Sequence, residues 1–124
     1  MEENLIIASR SLKAFSPGQE AYVAYLYRGR NRKPEIKTCF VEKVGRKYVT
    51  DNYGRRYAED PNLENGLTED RTYGTEGYLF ATLQEAEEFI EKHNLEVWLA
   101  NLKPYGKFSL QQLRHVKAIL DVEV

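Results

Sequence analysis

The sequence predicts an α+β fold: a small SH3-like antiparallel β-barrel of about five strands, followed by two or three C-terminal helices. Three observations carry this. Runs of aromatic and β-branched residues recur between residues 21 and 58, separated by short Gly- and Asn-containing turns. Two Thr/Ser-x-x-Glu/Gln capping boxes, at Thr82 and Ser109, each precede apolar residues at helical spacing. The length of 124 residues suits one domain and is too short for two independent cores. The domain is therefore taken as residues 1–124, with the barrel over about 18–80 and the helical part over about 82–120.

The elements follow in order. Leu5-Ile6-Ile7 can open a strand and Ser9 to Ala14 a turn of helix; Ser16-Pro17-Gly18-Gln19 reads as a turn. Ala21 to Arg28 is the first strand and Gly29 to Pro34 a basic loop. Ile36 to Val44 alternates, with Ile36, Thr38 and Phe40 on one face and Cys39 and Val41 on the other. Gly45-Arg46 is a tight hairpin leading into Lys47 to Asp51, and Asn52-Tyr53-Gly54 turns the chain into a short strand, Arg55 to Ala58. Residues 59–77 read as a long loop, or a loop with a strand around Arg71 to Tyr73. Tyr78 to Phe80 is the last strand. A helix starts after Thr82 and ends near Asn94; a second short helix covers Glu96 to Leu102; a third follows Ser109, with Leu110, Leu113, Val116 and Leu120 on one face. The expected core is Val23, Leu26, Phe40, Val49, Phe80, Ile90, Trp98, Leu113 and Val116, with the helix faces sealing the barrel end.

The net charge of −1 excludes a wholly basic nucleic-acid binder and a wholly acidic nucleic-acid mimic. The charge is nevertheless unevenly placed. Residues 28–56 hold ten basic and three acidic side chains, a net +7; residues 57–96 hold two basic and eleven acidic ones, a net −9. Six tyrosines between residues 22 and 57 are interleaved with the basic residues. Such a mixture suits strand packing, protein-interface anchors, or base stacking with phosphate contacts.

No enzymatic constellation emerges, and the chain reads as a non-enzyme. Walker, GxGxxG, HExxH and GxSxG motifs are absent. His93, His115 and Cys39 lack metal-ligand spacing, so no metal and no cofactor is expected. Cys39 reads as a buried structural thiol in a reducing compartment. With no signal peptide and no apolar run long enough to span a membrane, the expectation is a soluble cytoplasmic protein without a membrane partner.

The strings Val41-Glu42-Lys43-Val44-Gly45-Arg46-Lys47-Tyr48-Val49, Tyr78-Leu79-Phe80-x-Thr82-x-x-Glu85-Ala86-Glu87 and Phe108-Ser109-Leu110-Gln111-Gln112-Leu113-Arg114-x-Val116-x-x-Ile119-Leu120, in this order, resemble small β-barrel accessory proteins of bacteriophages and prophages. The similarity covers roughly residues 18–120 and brings no catalytic residues with it. It implies a phage-type binding protein in a bacterial host cell, blocking a host protein such as a nuclease or another defence component; anti-CRISPR action is one candidate. The basic contact is expected from Arg30, Arg32, Lys33, Arg46, Arg55 and Arg56, with Tyr53 as anchor. The acidic loop, Asp60, Glu64, Glu69 and Asp70, is the alternative contact. The alternative function is accessory nucleic-acid binding on the basic, tyrosine-rich barrel face.

Overall fold

The computed structural model describes residues 12–28, 33–71, 76–103 and 106–121. Six strands, β1 (Glu20–Arg28), β2 (Lys33–Val44), β3 (Tyr48–Asp51), β4 (Arg56–Glu59), β5 (Gly66–Glu69) and β6 (Tyr78–Phe80), form a closed barrel. Each strand pairs antiparallel with the next, and β1 with β6 completes the ring through Tyr22↔Phe80, Val23↔Leu79 and Ala24↔Tyr78. Four of the strands have only three or four residues, so the long β1 and β2 carry the curvature. Register shifts between Tyr25 and Arg28 and between Val41 and Lys43 supply the bends.

The strand count is six where about five were expected. Thr72 and Tyr73 of the strand expected around Arg71 to Tyr73 lie outside the described residues; the additional strand is β5 at Gly66–Glu69, inside the segment read as a long loop. Its four residues, Gly-Leu-Thr-Glu, carry little strand propensity. Pairing on both sides, with β4 and β6, holds them extended. Asn65 enters β5 with φ 63°, a left-handed conformation that asparagine tolerates.

The barrel interior is filled by Ala21, Val23 and Tyr25 of β1, Cys39 and Val41 of β2, and Val49, Tyr57, Leu67 and Leu79 from the remaining strands, joined by Phe15. Phe15 arrives through a turn in which the Gly18 N–H donates to the Val41 carbonyl at 2.7 Å, Gly18 having φ +86°. Leu5 to Ile7 and the loop arginines Arg30 and Arg32 lie outside the described residues.

A second apolar cluster lies on the outer wall. Helix α1 (Leu83–Ala100) sets Ala86, Phe89 and Ile90 against Ala24, Ile36, Tyr78 and Phe80. The Phe89 ring lies 4.8 Å from that of Tyr78 and 5.2 Å from that of Phe80. The Tyr27 hydroxyl is within hydrogen-bond distance of His93 Nε2, at 2.9 Å. Thr82 caps α1 as its sequence predicts: Glu85 N–H donates to Thr82 Oγ1 at 3.2 Å, and Thr82 Oγ1 donates to Glu85 Oε1 at 3.1 Å.

The first part of α1 thus does not seal the barrel end; its Ala86, Phe89 and Ile90 lie across the wall made by β1 and β6. Core membership changes accordingly. Val23, Val49 and Phe80 are buried, and Leu26 and Ile90 are half-buried. Phe40 is 49% exposed, because β2 turns Cys39 and Val41 inward and the alternation sends Phe40 out. Trp98, Leu113 and Val116 are exposed as well.

The described chain divides into two compact units, meeting between Asn94 and Leu95. The second holds the end of α1 and helix α2 (Leu110–Asp121), so two helices follow the barrel in the chain among the described residues. The separate helix expected over Glu96 to Leu102 is instead a continuation of α1, since nothing between Asn94 and Leu95 breaks the backbone ladder. The Ser109 capping box forms: Gln112 N–H donates to Ser109 Oγ at 3.0 Å, and Ser109 N–H to Gln112 Oε1 at 2.9 Å. None of the described helices is long and apolar enough to cross a membrane.

Candidate binding surface at the β3–β4 hairpin

The turn between β3 and β4 is built on a carboxylate. Asp51 is fully buried, and its Oδ1 accepts the N–H groups of Tyr53 and Arg55, each at 2.9 Å. Its Oδ2 accepts the Tyr57 hydroxyl at 2.9 Å. This is the Asp-turn chemistry that lets a short polar side chain replace the missing backbone partners at a hairpin tip. The backbone closes the same turn, Asp51 N–H donating to the Arg55 carbonyl at 2.9 Å and Gly54 N–H to the Asp51 carbonyl at 3.1 Å. Gly54, at φ +82°, supplies the left-handed residue. Asn52 ties the tip to β2: its N–H donates to the Phe40 carbonyl, and its Oδ1 accepts the Phe40 N–H, both at 2.9 Å.

The outcome is a fixed loop presenting an aromatic. Tyr53 is 66% exposed, and Phe40 stands on the strand to which Asn52 is bonded. The Arg55 guanidinium carbon lies 5.5 Å from the Tyr53 ring centroid, while its Nη1 donates to the buried Tyr25 hydroxyl at 3.1 Å. Arg55 therefore joins the exposed ring to the barrel interior. Burial alone would lower its pKa, but Tyr25, Tyr57, Asp51 and Glu69 around it raise it on balance, so it stays charged. Burial, with the charge and hydrogen bond of Asp51, pushes the Tyr57 phenol far above its ordinary range. Burial pushes the Cys39 thiol up to about 12, Asp51 adding to the effect and Arg55 opposing it. Such a thiol is protonated at neutral pH and has no nucleophilic character.

A second aromatic–cation group lies on the outer face of the same hairpin. The Tyr48 ring has the Arg56 guanidinium at 4.7 Å and the Lys47 ammonium at 5.4 Å from its centroid. Tyr48, Ala58 and Thr68 are paired across three strands, and with Pro61, Asp60 and Asp70 they line an open depression of about 280 Å³.

The predicted basic set is divided by the fold. Lys33 is exposed at the start of β2, and Arg46 is exposed in the β2–β3 turn. Arg55 is turned toward the interior. Arg56 is exposed but bonded to Asp70, 3.1 Å from Nη2 to Oδ2. The basic and acidic stretches thus meet at this pair, across β4 and the end of β5. The acidic set is divided as well. Asp60 caps its own turn, accepting from Asn62 N–H and Thr68 Oγ1, each at 2.9 Å. Glu64 is exposed. Glu69 is buried, accepting the Gly77 N–H at 3.0 Å with Arg71 3.8 Å away.

Sequence reasoning named Tyr53 and its arginines but missed the support beneath them, Asp51, Asn52, Tyr57 and Tyr25. The Asp-Asn-Tyr-Gly string held the signal, an Asp opening a turn that a Gly closes. Among the described residues, no three His, Cys, Asp or Glu side chains converge as a metal site. No family model, no curated protein and no solved structure matches this chain.

Proposed function

We propose that this chain is a binding protein that occupies and blocks a protein partner, with Tyr53 at the β3–β4 tip as its anchor. The observation that carries the proposal is an exposed Tyr53 on a turn clamped by a fully buried carboxylate. Exposed tyrosines and arginines are the side chains that most often dominate protein interfaces. A tip already held in one conformation loses little entropy on docking. Phe40 widens the aromatic surface, and Arg46 and Lys33 supply peripheral charge that speeds encounter with an acidic partner. The resemblance to phage accessory proteins makes a host protein the natural partner, and steric occlusion the mechanism.

The test is capture from nuclease-treated bacterial lysate with wild-type protein, Tyr53→Ala, and the charge reversal Arg46→Glu. A hot-spot anchor contributes about 2 kcal/mol or more, so Tyr53→Ala is expected to weaken a captured partner roughly 30-fold. Arg46→Glu mainly slows association. A partner held equally by all three proteins refutes the tip as the contact.

One observation favours a second reading, accessory nucleic-acid binding. Tyr48 with Lys47 and Arg56, and Tyr53 with Arg55, are two rings each bearing cations on one hairpin. Rings that stack bases beside cations that hold phosphates are the elements of single-strand binding. That reading requires affinity for an oligonucleotide to fall steeply with salt and to be lost in Tyr48→Ala; a flat salt response rejects it.

A further inference from the structure

Strand β2 is paired on both sides over only part of its length. It pairs with β1 between Lys33 and Phe40, and with β3 between Val41 and Val44. Beside the first stretch, on the side away from β1, no described strand lies. Two neighbouring residues show which backbone groups face that side. Val41 donates to the Gln19 carbonyl and accepts from the Gly18 N–H, next to β1. Phe40 donates to Asn52 Oδ1 and accepts from the Asn52 N–H, in line with β3. These directions alternate along a strand, and the register with β1 is unbroken from Glu20↔Phe40 to Tyr25↔Glu35. Thr38 and Ile36 therefore point N–H and C=O the same way as Phe40, with no described strand to receive them. Pro34, next in that series, presents a C=O and no N–H. The second unit supplies no strand, its described residues being helix, turns and short connections. An unpaired run of this kind is a template for another strand.

We propose that this edge of β2 pairs antiparallel with the same edge of a second copy of this chain, about a two-fold axis at Ile36, making the protein a dimer. The inference goes beyond the hairpin tip and does not rest on its role. The residues of the edge select a second copy as the occupant. With the axis at Ile36, the two Ile36 residues exchange N–H and C=O, and the Thr38 N–H of each copy donates to the Pro34 carbonyl of the other. The missing proline N–H then costs only the outermost bond of the ladder. Glu35 and Lys37 flank Ile36 on the opposite face of the strand. The same axis sets Glu35 of each copy directly opposite Lys37 of the other, in the closer, non-hydrogen-bonded kind of pair. A carboxylate accepts from more than one donor, so a contact within its own copy leaves Glu35 able to make this pair. A register moved by one residue is repelled. An axis at residue 35 sets Glu35 against Glu35 and Lys33 against Lys37; an axis at residue 37 sets Lys37 against Lys37. An axis at residue 34 places proline against proline with no central hydrogen bond, and one at residue 38 needs the groups of Phe40 that Asn52 already holds. The edge is thus complementary to itself in one register, as an isologous interface requires. Pairing uses the edge of both copies, so the ladder closes at two.

The experiment is sedimentation equilibrium of the full purified chain over a range of concentrations. The expected result is a mass of twice 14.5 kDa at the higher concentrations. Thr38→Pro removes an N–H that the pairing with β1 does not use, and is expected to leave a monomer with the barrel's thermal transition unchanged. Because a proline can also strain β2, charge exchange gives an independent reading. Lys37→Glu sets like charges opposite each other on both sides of the axis and is expected to weaken the dimer about tenfold; adding Glu35→Lys is expected to restore it. A wild-type protein that is monomeric throughout overturns the proposal. A dimer indifferent to Thr38→Pro or to Lys37→Glu overturns it too, since assembly then uses another surface. Failure of the double exchange to restore association overturns the pairing about Ile36.

Discussion

Tyr57→Phe removes one oxygen from the barrel interior and tests whether the Asp51 carboxylate organises the hairpin. Tyr57 and Asp51 are both fully buried, and the phenol donates to Asp51 Oδ2 at 2.9 Å. Phenylalanine keeps the ring and its packing, so no cavity of consequence is made. What changes is the hydrogen bond: Oδ2 loses its donor where no water reaches it. A hydrogen bond to a charged group contributes about 1.5–3 kcal/mol, and stranding the acceptor keeps the loss at the upper end, about 2–3 kcal/mol. At roughly 4 °C per kcal/mol for a chain of this size, the melting temperature drops by about 8–12 °C. The assay is urea unfolding followed by far-ultraviolet circular dichroism. Tyr22→Phe is the control. Its hydroxyl bonds to exposed Glu20, so its removal is expected to cost under about 0.5 kcal/mol. A Tyr57→Phe protein within 0.5 kcal/mol of wild type, the size of that control, would refute the reasoning. So would a coupling energy with Asp51→Asn below the ~0.5 kcal/mol at which neighbours count as interacting.

Three further outcomes are expected. Cys39 and Tyr57 hold their protons in the folded barrel above the pH at which the unfolded chain gives them up. Above about pH 9 the unfolded state therefore binds fewer protons, and stability falls as pH rises toward 12 for Cys39, with Tyr57 joining from about pH 10. Chemical denaturation across this range checks it, and Cys39→Ala should flatten the first part of the decline. Gly66→Ala places a Cβ 2.6 Å from Phe80 Cε1, under a ring already held by Phe89, and is expected to cost about 1–3 kcal/mol; adding Phe80→Leu should recover part of the loss in the same unfolding assay. Thr82→Ala removes the α1 cap and should cost about 1 kcal/mol, with Thr82→Ser near wild type.

Much of this protein was legible because its information is local. Aromatic and β-branched composition, the alternation of β2 and the Gly-containing turns placed β1 to β4, and the two capping boxes placed the starts of both helices to the residue. Strand β5 was not legible: Gly-Leu-Thr-Glu becomes a strand only because β4 and β6 flank it. Phe40 was misplaced for a related reason. Alternation says which residues of β2 share a face, but not which face is the interior; that follows from closing the barrel around Cys39 and Val41. Trp98, Leu113 and Val116 were assigned to a core because apolar spacing does not say what a face meets.

The candidate surface divides along the same line. Tyr53 and its arginines were visible as residue types in a turn. Which arginines remain exposed was decided by contacts among distant residues, Arg55 with Tyr25 and Arg56 with Asp70. The amino-acid sequence by itself determined the fold class, the helix starts and the uneven charge, because propensity, capping and composition act over a few residues. The tertiary structure alone decided the closure of the barrel, the inward face of β2 and the clamp beneath Tyr53. Those depend on pairings such as β1 with β6, whose partners are brought together by the fold.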